Sequence, residues 1–72
     1  MATAVIVRPE YLWVSIREAP SEESAVVGLL RCGYTYEINI IGEKDGYLVV
    51  TARDGRKAYV RKEFLENVHS DT

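Results

Sequence analysis

With 72 residues, 47% hydrophobic and 28% charged, the chain has room for one domain and lies outside the low-hydrophobicity, high-charge regime of disordered polypeptides. Nine Lys and Arg against eleven Asp and Glu leave a formal net charge of −2, a field that does not draw nucleic acid or an anionic membrane surface. One cysteine, Cys32, and one histidine, His69, exclude an intramolecular disulfide and a thiolate metal cluster within one chain, so neither a metal nor another cofactor is expected.

The first ten residues, MATAVIVRPE, lack a basic leader, and the apolar run Ala4 to Val7 is too short for a secretory core or a membrane span. The expected location is cytoplasmic or virion-associated, and extracellular only if the chain is released or carried. Leu12, Val14 and Ile16 then alternate with Trp13, Ser15 and Arg17, the period of a half-buried strand with the first three facing the core. REAPSEESA (17 to 25) is polar and carries Pro20, which predicts a long exposed loop. AVVGLLRCG predicts a strand in which Gly28 permits a bend or a close approach and Gly33 supplies a turn with positive φ. Tyr36, Ile38 and Ile40 alternate with Glu37, Asn39 and Ile41 in the next strand, from Tyr34 to about Ile41.

Asp45-Gly46 and Asp54-Gly55 are tight-hairpin pairs and join 34 to 41, 47 to 52 and 57 to 60 into an antiparallel meander. RKEFLE (61 to 66) lacks strand alternation and predicts one helical turn that sets Phe64 and Leu65 on the end of the sheet; NVHSDT reads as a frayed tail. The expected class is all-β: a small barrel of five to six short antiparallel strands with a short helical turn near the C-terminus, closed to hide its edges.

At this point the chain resembles the bacterial SH3-like (SH3b) domains. Val14-Ser15-Ile16-Arg17 with Pro20-Ser21 stands for the family's first block, and Val26, Gly28, Leu30 and Gly33 match the second. Gly46, Tyr47 and Val50 match the third; Gly55, Tyr59 and Val60, with Phe64 and Leu65, match the last two. Tyr47 stands where Trp is commoner, Ala58 replaces the second glycine of the last glycine block, and AVIVRPEY is longer than the family's usual first strand. The resemblance implies an N-terminal strand and lead-in at 1–11, an SH3b-like barrel at 12–66 and a flexible tail at 67–72. It also implies a non-catalytic binding module of the kind attached to wall hydrolases or found in secreted, intracellular and phage proteins.

A nucleophile triad requires a base held beside a hydroxyl or thiol. The one histidine lies in the terminal run His69-Ser70-Asp71, where adjacent residues of a tail cannot hold that geometry. The chain therefore does not read as an enzyme. The ligand-binding candidates are aromatic: Tyr11, Trp13, Tyr34, Tyr47 and Tyr59. Strand parity turns Trp13 away from the core, and an exposed Trp offers flat contact area at low entropic cost. Arg53, Arg56, Lys57 and Arg61, with Lys62, face only Asp54 over 53 to 62; they are the candidates for an anionic ligand, or else the solvated charges that keep a hairpin edge from aggregating.

Ile41 and Val49 add apolar side chains on the face that parity assigns to solvent, which suggests that the outer wall packs on the N-terminal segment or another subunit. With Met1 present and no attached catalytic domain, the chain reads as a complete small protein, of phage or prophage type for example, whose partner is a protein, a peptide or its own copy. Peptidoglycan, beside a hydrolase, is the alternative. A small-barrel nucleic-acid binder is weaker.

Overall fold

The computed structural model describes residues 2–52 and 54–68. Among them are seven strands, β1 (Thr3–Val7), β2 (Trp13–Arg17), β3 (Val26–Arg31), β4 (Thr35–Lys44), β5 (Tyr47–Thr51), β6 (Lys57–Arg61) and β7 (Leu65–Asn67), and one 3-10 turn at Lys62–Phe64. All pair antiparallel in one sheet of order β3-β2-β6-β5-β4-β1-β7. This is the all-β SH3-like architecture expected, with one strand more than anticipated. Leu65 and Glu66, placed in the helical turn by their lack of alternation, pair with β1 instead. Two residues read as tail are hydrogen-bonded to the sheet: Asn67 sits opposite Val5, and the Val68 amide donates to the Ala4 carbonyl at 2.8 Å. The run His69-Ser70-Asp71 lies outside the described residues.

The ladder does not close into a barrel, because β3 and β7 end the order unpaired to each other. The sheet nevertheless curls. Strands stand about 4.8 Å apart, so in a flat sheet Val5 on β1 and Leu30 on β3 would be separated by roughly 24 Å. Instead they share one core with Val7, Val14, Val50, Ala58, Val60 and Leu65. Two one-residue slips in register mark places where a strand bends. One passes over Ile41 in β4, and the other passes over Val27 in β3, beside Gly28. A Cβ at Gly28 would stand 3.4 Å from Ile16 Cδ1, so the missing side chain leaves room for Ile16 to lie across the bend.

One expectation about the core is corrected. Leu12 is 77% exposed, because it precedes the first paired residue of β2; its carbonyl still accepts from the Cys32 amide at 3.0 Å. β1, the expected N-terminal strand, is part of the sheet. It is inserted between β4 and β7, and Val5 is 0% exposed.

The hairpin turns are where the Asp-Gly pairs put them. Asp45 (φ 52°) and Gly46 (φ 82°) are both left-handed, the requirement of a two-residue turn matched to the twist of its strands. A Cβ at Gly46 would meet nothing within 4 Å, so the cost of a side chain there is torsional. Gly46→Val is expected to lose about 1–3 kcal/mol. Glu43→Val removes only an exposed ion pair to Lys62 Nζ at 3.2 Å, worth about 0.5 kcal/mol. Thermal denaturation of the two variants checks this, and equal midpoints would contradict the left-handed turn.

Candidate functional site

Alternation along β2 sets Trp13, Ser15 and Arg17 on one face of the sheet. On the same face the β5–β6 ladder pairs Tyr47 with Arg61, and the 3-10 turn adds Glu63 and Phe64. These side chains, with Val14 and Glu22, line a cleft of about 230 Å³. Its floor is the buried Tyr47, and Trp13, 56% exposed, stands as a wall. A shallower hollow on the far side of Trp13 is lined by Glu10, Tyr11 and Leu12, so the indole divides two depressions.

Glu22 reaches the cleft because the polar loop is less free than its composition suggests. The Ser24 hydroxyl lies 2.7 Å from the Ser21 carbonyl and 3.0 Å from the Ala19 carbonyl, and the Ala19 amide donates to it at 3.3 Å. Arg17 Nη1 donates to the Ser24 carbonyl at 2.7 Å, and the Glu18 amide donates to the Ala25 carbonyl at 3.0 Å. One serine side chain thus folds 18–25 back on itself.

Arg61 organises the cleft. Its guanidinium lies 5.4 Å from the Tyr47 ring centre and 5.7 Å from that of Phe64, within cation–π range. Its ion pairs are longer than a close charge-assisted bond, at 3.5 Å to Glu22 and 3.9 Å to Glu63. Phe64 is braced in turn by Tyr11, ring centres 4.5 Å apart and tilted 53°. Two arginines and two glutamates make the cleft close to neutral. Its distinctive chemistry is therefore aromatic contact, with paired charges at the rim.

The aromatic candidates do not form one cluster. Trp13 and Tyr47 line the cleft and Tyr11 supports it through Phe64, whereas Tyr34 and Tyr59 line neither depression. Tyr34 is exposed, 6.4 Å from Tyr36 between ring centres. Tyr59 lies half-buried between Arg17 and Val49 across the sheet. Of the anionic-ligand candidates, Arg56 is paired with Asp54 at 3.5 Å, Lys57 and Arg61 occupy opposite ends of β6, and Arg53 lies outside the described residues. Glu22, Glu43 and Glu63, remote from one another in sequence, sit against Arg61 and Lys62. Counting charges along 53 to 62 could not find them. Ser15 and Arg17 were recoverable from the period of β2; nothing local signals that Glu22 or Glu63 faces Trp13.

Among the described residues no His, Cys, Asp and Glu are grouped as a metal site, and no helix is long and apolar enough to cross a membrane. Comparison with curated proteins and with solved structures finds no match. A family model described as bacterial SH3 domain matches residues 13–66, a span that takes in β2 through the 3-10 turn, the first two residues of β7 and every residue that lines the cleft. With three quarters of its length so matched and its strands in the SH3-like order, the chain belongs to the bacterial SH3 domain family.

Proposed function

We propose that this domain is a non-catalytic binding module that takes a segment of a protein or peptide partner into the cleft beside Trp13. The carrying observation is the exposure of Trp13 on a paired strand, above the buried ring of Tyr47 and opposite Phe64. A rigid aromatic wall over an apolar floor suits a side chain of the ligand, and the paired charges at the rim suit its backbone and polar groups. Family membership supports a binding role. The near-neutral cleft favours a peptide over a nucleic acid.

Trp13 is the sole tryptophan, so intrinsic emission reports on the site directly. Titration with peptides selected for binding from an unbiased library is expected to shift the emission, and purified sacculi are expected not to sediment the protein. Binding without any change in emission would move the site elsewhere; sedimentation with sacculi would assign the cleft to peptidoglycan. Because Arg56 and Lys57 stand away from the cleft, Arg56→Glu with Lys57→Glu should leave the affinity for a selected peptide, and its salt dependence, within about twofold of wild type, as expected of charges outside the contact. A large loss with a flattened salt dependence would transfer the role to this hairpin.

A further inference from the structure

β3 ends the sheet on one side, and its outer edge has the features of a surface awaiting a partner strand. Val26, Val27 and Leu29 are 50%, 57% and 49% exposed, although exposed edges are ordinarily blunted by charge, proline or shortness. The opposite edge shows that protection: β7 has only three residues, Leu-Glu-Asn, and its Glu66 is paired with Arg8 at 3.6 Å. The Cys32 amide points to β2, where it donates to Leu12. By the alternation of an antiparallel ladder, Arg31 and Leu29 therefore turn their backbone groups outward. The Arg31 amide meets the Tyr36 hydroxyl at 2.9 Å; Leu29 has no further strand on that side, since β3 ends the sheet order.

We propose that β3 pairs antiparallel with β3 of a second copy, making a two-fold dimer. The charges select this occupant. Glu23 lies in the turn just before β3 and Arg31 is its last residue; both are exposed, and neither side chain has an ion-pair partner among the described residues. An antiparallel copy centred near Val27 and Gly28 sets the acidic end of each strand against the basic end of the other. The Glu23–Arg31 pair then forms twice by symmetry, so that each unpaired charge gains a partner, while the valines and Leu29 cover one another. Each copy uses its one open edge in the contact, so the assembly closes at two. The bulge at Val27 and the Tyr36 cap keep the new ladder short, which makes the dimer concentration-dependent.

Sedimentation equilibrium of the full chain over a wide concentration range tests this. Wild type should pass from one to two monomer masses. Arg31→Glu and Glu23→Arg, each placing like charges across the two-fold, should each raise the dissociation constant about tenfold. An equimolar mixture of these two variants should recover wild-type association, because their charges are again complementary. Leu29→Lys should give a monomer whose thermal midpoint is close to that of wild type. A monomer at every concentration overturns the proposal, and so does a dimer indifferent to both charge reversals or a mixture that fails to recover.

Discussion

Val5→Asp is expected to leave the domain largely unfolded at room temperature, while Leu12→Asp should melt within a few degrees of wild type. A domain of this size has about 4–11 kcal/mol of stability in total. Val5 is fully enclosed between β4 and β7; replacing it forfeits about 1.5–3 kcal/mol of burial and leaves an unpaired carboxylate inside, at about 3–5 kcal/mol more. The loss is therefore comparable with the whole stability. Leu12 projects into solvent at the head of β2, where substitutions change stability by about 0.5 kcal/mol. Far-UV circular dichroism and thermal melts of the two variants decide the matter, and a folded Val5→Asp domain would remove β1 from the core. The comparison has a particular edge because the family match begins at residue 13. β1 precedes it, yet supplies the most enclosed side chain of the fold.

The second large effect is on binding. Trp13→Ala should cost at least about 2 kcal/mol, or about 30-fold, in affinity for a peptide selected on the wild type, the scale of an aromatic anchor at an interface. The fold should survive. Trp13 is already more than half exposed as a residue, so the expected loss of stability is about 1 kcal/mol or less. Isothermal titration with a parallel thermal melt separates the two quantities. If the melt collapses together with the affinity, Trp13 is a structural residue and the cleft loses its wall. Phe64→Leu offers a milder counterpart: it preserves apolar volume while removing one of the two rings over which Arg61 lies, and so should weaken binding by less than Trp13→Ala.

Much of the architecture was legible because its determinants are local. The two-residue period of VSIR and of YEINI requires only that alternate side chains face opposite sides of a strand. Asp45-Gly46 and Gly33 announce turns through the left-handed backbone they alone adopt cheaply. The same parity that buried Val14 exposed Trp13, so one wall of the candidate site was readable before any tertiary contact was known.

Where the reading stopped, the reason was contact between residues distant along the chain. Alternation says which residues share a face, but not where pairing begins, and Leu12 falls just beyond its start. The lack of alternation in 61 to 66 and the polar run after it hid a strand, β7, whose partner, β1, lies at the other end of the polypeptide. The basic run 53 to 62 is opposed in sequence by Asp54 alone and in space by three more carboxylates, because the Ser24-bonded loop, β4 and the 3-10 turn bring Glu22, Glu43 and Glu63 to it. The all-β class, the turn positions and the exposure of Trp13 follow from the sequence by itself, through backbone torsion and side-chain parity. Only the tertiary structure decided that β1 lies inside the sheet, that Arg61 rests between two rings beside Trp13, and that β3 is left with an open apolar edge: each depends on which strands become neighbours when the sheet curls around one core.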